Sequence, residues 1–142
     1  MSPISPYIFF DGHAAEAMRF YQSVLGGELS PVLSYGAMPG CDDMGPMSAE
    51  VKARTAHVAL TYQDGMLMAS DTTPDHPYEA MKGFCVALAF PTAARAKEVF
   101  EALSAGGTIQ MALGKTFWAE AFGSFTDRFG TPWMVNGGMA AA

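Results

Sequence analysis

The sequence predicts an α+β protein made of two copies of one βαβββ module. Two observations carry this. An alanine-rich, one-sided helix occurs twice and stops both times at Gly-Gly, and strand patterns surround each copy in the same order. A third observation bounds the answer: 142 residues, half of them hydrophobic and 15% charged, suffice for one compact domain with a sizeable core and no disulfide or metal staple.

The first module opens with an alternating strand over Tyr7 to Phe10. Ala14, Ala17, Met18, Tyr21 and Leu25 then recur at helical spacing, which gives a helix with one buried side. Asp11 or Gly12 is its expected N-cap, and Gly26-Gly27 its stop, because glycine takes the left-handed conformation that ends a helix without steric cost. Strands follow over Leu29 to Tyr35, Thr55 to Tyr62 and Met66 to Ala69, with Gln63-Asp64-Gly65 as the hairpin turn between the last two.

The second module repeats the order: a strand over Phe84 to Phe90, a helix capped by Thr92 and striped by Ala96, Val99, Phe100 and Leu103, and a stop at Gly106-Gly107. Strands are expected over Thr108 to Ala112, Trp118 to Thr126 and Pro132 to Asn136, with Asp127 capping the last turn and Gly130 at positive φ. The turn-rich stretch from Asp71 to Gly83 joins the modules. The irregular segment from Gly36 to Arg54, with Pro39, Gly40, Gly45 and Pro46, is long for a hairpin connection and reads as a mobile loop or a lid.

Bulk properties exclude several function classes. The net charge is −6 and the eight Lys and Arg residues form no run, so a nucleic-acid partner is not expected. No stretch is apolar and long enough to cross a bilayer, and the start of the sequence has no basic segment followed by an apolar one, so the expected address is the cytoplasm, away from membranes. Cys41 and Cys85 lack metal or redox spacing and read as ordinary reduced thiols, Cys85 in a buried strand and Cys41 in a loop.

Three strings, PYIFFDGHAAEAMRFYQSVLGG (6–27), HVALTYQDGMLMASD (57–71) and FWAEAFGSFTDRFGTPWMVN (117–136), together with the repeat, resemble the vicinal-oxygen-chelate superfamily. That superfamily includes glyoxalase I, extradiol dioxygenases, and fosfomycin and bleomycin resistance proteins, and the resemblance is closest to its PhnB-like branch. It implies a single domain over residues 1–142, with module 1 at about 1–73 and module 2 at about 82–142. Each module would form a curved mixed sheet around a cavity with its helix outside. It also implies a homodimer, with modules paired within one chain or across two.

Superfamily enzymes hold a divalent metal through His, Glu or Gln on the first and last strands of each module. Here those positions fall near Pro6 and Ala69, and then near Cys85 to Ala87 and on Met134, none of which supplies such a ligand. No metal and no other cofactor is therefore expected. PhnB-like sequences are sometimes described as demethylubiquinone methyltransferases, but the chain has no glycine-rich strand-to-helix turn for a nucleotide-like cofactor.

Several residues remain as site candidates. His57 heads the alternation His57, Ala59, Thr61 on one strand face, and it reads as a structural histidine, or as a base or ligand anchor. Asp71 and His76 cluster after the fourth strand, where Asp71 equally serves as a turn cap. Trp118 and Glu120 bring an aromatic slab beside a carboxylate, a pairing that stacks a planar ligand or packs at an interface. Glu120 is a general-base candidate if its strand carries it into apolar surroundings. His13 has no assigned role. Met66, Met68, Met81, Met111 and Met134 read as core filler.

Three function classes follow. The first is a binding or sequestering protein for a small oxygenated or aromatic molecule, with His57, Asp71, Trp118 and Glu120 as ligand contacts. The second is a lyase-like or isomerase-like enzyme using His57 with Asp71 or Glu120. The third is an interaction protein with a filled cavity.

Overall fold

The structure, a computed structural model, describes residues 4–40 and 45–139. Close contacts divide the chain into two units, residues 1–79 and 80–142. The chain is α+β, with a mixed five-stranded sheet in one unit and a mixed four-stranded sheet in the other.

In the first unit β1 (Tyr7–Phe10) leads to α1 (Ala14–Leu25), followed by β2 (Glu28–Leu29), β3 (Leu33–Ser34), α2 (Ala49–Ala53), β4 (Thr55–Tyr62) and β5 (Gly65–Asp71). The sheet runs β1-β5-β4-β2, with β3 also on β4. The β1/β5 pair is parallel and the others antiparallel. Buried residues on α1 are Ala14, Ala17, Met18, Tyr21 and Leu25, the predicted stripe. It packs on the buried Ile8, Phe10, Val58, Leu60, Leu67 and Ala69. Burying side chains as large as Met18 and Tyr21 stabilises by roughly 1.5–3 kcal/mol each.

Three sequence expectations change here. The predicted strand over Leu29 to Tyr35 is broken, because Pro31 cannot donate to the ladder. Just before it, the Ser30 hydroxyl accepts from the Ala59 amide at 2.9 Å, so a side chain takes over one ladder position. The segment read as irregular contains α2, whose N-cap Ser48 accepts from the Val51 amide at 3.2 Å. The surrounding Pro and Gly residues obscured this short cap-and-turn signal. Finally, neither Asp11 nor Gly12 caps α1: His13 occupies the N-cap position without a capping side chain, and Asp71 supplies the acceptor from another strand.

The second unit contains β6 (Val86–Phe90), α3 (Ala93–Ser104), β7 (Thr108–Gly114), β8 (Ala119–Thr126) and β9 (Pro132–Met139), in the order β6-β9-β8-β7. This is the first unit's topology again, with the first and last strands parallel. Thr92 caps α3 by accepting from the Arg95 amide at 3.2 Å, and Ala96, Val99, Phe100 and Leu103 are its buried stripe, both as expected. Gly27 and Gly107 occupy matching places. A β-carbon on Gly27 would collide with the Thr61 carbonyl, and one on Gly107 with the Thr126 carbonyl, so each module needs glycine where the chain leaves its helix.

Cys85 is exposed and precedes β6, contrary to the buried strand expected for it, because the ladder on this edge strand starts at Val86. Cys41 lies outside the described residues. Among the described residues no helix is long and apolar enough to cross a membrane.

Candidate functional site

Strand alternation gives the first sheet one face under α1 and one face away from it. The register places Tyr7 beside Met68 and Met68 beside Ala59, so these three share the face away from the helix, as do Phe9, Ser70 and His57 one step along. Tyr7 and Phe9 are 39% and 53% exposed, whereas the intervening Ile8 is buried. On this open face the Tyr7 hydroxyl and His57 Nδ1 share a hydrogen bond of 3.2 Å. The two rings are 5.8 Å apart, and the Phe9 ring lies 5.3 Å from that of Tyr7. Tyr7 was not singled out in the sequence. Its place at an alternating position on the first strand was the available signal, but its meeting with a residue fifty positions away was not readable.

Asp71 occupies the other face, beside Phe10, and is 2% exposed. Its Oδ1 accepts from the Ala14 amide and its Oδ2 from the Thr55 amide, both at 2.9 Å. Its carboxylate thus serves α1 and β4, and the sheet separates its side chain from that of His57. The Asp71 carbonyl accepts from the Tyr35 hydroxyl at 2.7 Å. Burial pushes the Tyr35 phenol above its ordinary value, and the nearby Tyr7 and Asp71 add to the rise, against weaker opposing effects from Ser70 and Arg54.

A concavity lies at the N-terminal end of α1. Arg54 spans it, paired with Asp11 at 3.0 Å and donating to the Thr72 carbonyl at 3.1 Å. With Thr73, Pro74, Pro77 and Tyr78, these residues line an open cleft of about 430 Å³, to which α2 contributes Glu50 and Val51. His76 is exposed and closes a tight turn through its amide to the Thr73 carbonyl, at 3.0 Å.

In the second unit the face away from α3 carries Phe122, Asn136, Ser124 and Met134. Trp118 donates from Nε1 to Asn136 Oδ1 at 3.0 Å and meets Phe122 edge-on at 5.0 Å, while Phe117 packs on Trp118 at 4.7 Å. Asn136 is a further residue that sequence reading did not mark. Glu120 is exposed, with its carboxylate over the backbone of Gly138, so the apolar surroundings considered for it are not found. Asp127 caps its turn as expected, Oδ1 accepting from the Phe129 and Thr131 amides at 2.8 and 3.0 Å, and its Oδ2 also accepts from Trp133 Nε1 at 2.8 Å.

The methionines read as core filler lie elsewhere. Met66 and Met111 are 40% and 51% exposed, and Met68, Met81 and Met134 are half-buried, because the strand alternation turns most of them to the open faces. The first- and last-strand positions are also resolved. Pro6 precedes β1 and Ala69 is buried under α1, so the neighbours on the first open face are Tyr7 and Met68. In the second unit they are Ala87 and Met134, which face each other across β6 and β9. Among the described residues no three His, Cys, Asp or Glu side chains converge on one point.

Comparison with known proteins agrees with this architecture. Protein YjdN of Escherichia coli is 36% identical over 94% of each chain. The crystal structure of protein PA1353 from Pseudomonas aeruginosa superposes with a TM-score of 0.86 at 43% identity, covering 96% of this chain and 97% of that one. The PhnB protein from Bacillus cereus, which also bears a 3-demethylubiquinone-9 3-methyltransferase description, gives a TM-score of 0.76 at 25% identity over 95% and 98% of the two chains. Residues 4–135 match the family itself, and the chain belongs to the Glyoxalase/Bleomycin resistance protein/Dioxygenase superfamily, with PhnB-like relatives.

Proposed function

We propose that this chain is a PhnB-like binding protein for a small oxygenated or aromatic molecule, acting without the superfamily's usual divalent metal. The observation that carries the reading is the open face of the first sheet, where the Tyr7–His57 pair sits among Phe9, Met66 and Met68. A polar pair within an apolar, polarisable wall is the composition of small-molecule sites. The ligand positions of the metal-dependent members supply no carboxylate or imidazole here, so no reaction step is routed through a metal.

The enzyme reading has less support. Of its two carboxylates, Asp71 has both oxygens engaged by backbone amides, and Glu120 is exposed. The exposed apolar residues Tyr7, Phe9 and Met66 in the first unit, and Ile109, Met111 and Phe117 in the second, support a homodimer that covers part of this surface.

The test combines two measurements. Protein purified without chelator should contain well under one equivalent of any divalent metal by plasma mass spectrometry. Ligand-observed NMR against small aromatic acids and ketones should find binders, and His57→Ala should keep the fold and lose them. Stoichiometric metal retained through dialysis, or binding indifferent to His57, would overturn the reading.

A further inference from the structure

The Tyr7–His57 hydrogen bond has a polarity that bears on what the open face recognises. A phenol is a good donor and a poor acceptor, because its oxygen lone pair is drawn into the ring, whereas a bare imidazole nitrogen is a strong acceptor. The favoured arrangement across the 3.2 Å contact is therefore Tyr7 O–H donating to His57 Nδ1. In neutral imidazole one nitrogen carries the proton, and the hydrogen bond made by one ring nitrogen fixes the state of the other. Accepting at Nδ1 leaves the proton on Nε2, and among the described residues no other hydrogen bond to this ring is present. The two rings lie tilted at 35°, and Phe9 packs on Tyr7 with ring centroids 5.3 Å apart, so the phenol ring is in contact with both aromatic neighbours.

We propose that Tyr7 is a positioning residue that holds neutral His57 as its Nε2–H tautomer. The open face then presents a hydrogen-bond donor rather than a proton acceptor, and it selects small apolar or aromatic molecules bearing an oxygen acceptor, a carbonyl or a carboxylate. This rests on the binding reading above and deepens it. It also separates binding from base catalysis, since a base at this site would need a bare Nε2.

The test is two-bond ¹H–¹⁵N NMR of the histidine side chains at about pH 8.5, well above the ordinary imidazole value of about 6.5. His57 should show protonated Nε2 and bare Nδ1, and Tyr7→Phe should shift it to a mixture of tautomers while the other histidines stay unchanged. A wild-type His57 protonated at Nδ1, or a tautomer unmoved by Tyr7→Phe, overturns the proposal. Titration with benzoate and with benzylammonium completes it: benzoate should move the His57 Nε2 signal and benzylammonium should not. Preference for benzylammonium overturns the acceptor selectivity. With the tautomer as expected and neither probe moving His57, the positioning role of Tyr7 stands and the binding reading of this face fails.

Discussion

Asp71, at the end of β5, holds the start of α1 by accepting a hydrogen bond from the Ala14 amide at 2.9 Å, across fifty-seven residues of sequence. The second oxygen does the same for Thr55, at the start of β4. One buried carboxylate therefore fixes where a helix and a strand begin relative to β5, the task usually left to a local N-cap residue.

Asp71→Ala should accordingly destabilise strongly, since two buried amides lose their acceptors at about 1–3 kcal/mol each. Asp71→Asn keeps one acceptor oxygen and should cost less. Urea denaturation of both variants measures the difference, and equal losses would contradict the two-acceptor role.

Asp127 performs a comparable task in the second unit, so Asp127→Ala should cost roughly 3 kcal/mol or more by freeing two turn amides and the Trp133 indole. Because Trp133 is buried, its loss of a partner should also appear as a changed fluorescence maximum. A Trp133 emission spectrum unchanged in the folded variant would argue against the indole contact.

Gly27→Ala and Gly107→Ala should both destabilise, as the two glycines sit at matching places in the repeat. Each new β-carbon meets a strand carbonyl, so the helix exit must move, and Gly27 carries the further strain of φ 91°. Backbone strain alone costs about 1–3 kcal/mol, which makes Gly27→Ala the worse of the two, a ranking that thermal denaturation of both proteins can check.

Tyr35 makes stability sensitive to alkaline pH. Its folded-state pKa is raised, chiefly by burial, so its contribution is fully present below the ordinary tyrosine value of about 10 and is lost as pH rises from there through the folded value. Absorbance titration of tyrosinate should show a late-ionising phenol that disappears in Tyr35→Phe. That variant should also lose the hydrogen bond to the Asp71 carbonyl and be less stable at neutral pH by about 0.5–1.5 kcal/mol.

The helices were legible because their signals are local. Each buried stripe predicted for α1 and α3 is the stripe found, and each stops where Gly-Gly allows. Thr92 was readable as a cap because its partner Arg95 lies three residues away. The methionines were misjudged because composition says how apolar a strand residue is and not which sheet face it occupies. Alternation places Met66 and Met68 opposite the helix, although Leu67 between them is in the core.

By itself, then, the sequence determined the two-module architecture, since helical and strand periods, caps and glycine stops are set by neighbours within a few residues. Only the tertiary structure decided the chemistry of the faces. The pairs Tyr7–His57, Ala14–Asp71 and Trp118–Asn136 join residues eighteen to fifty-seven positions apart. Their meeting depends on strand register, where a slip of one residue would turn every side chain to the opposite face.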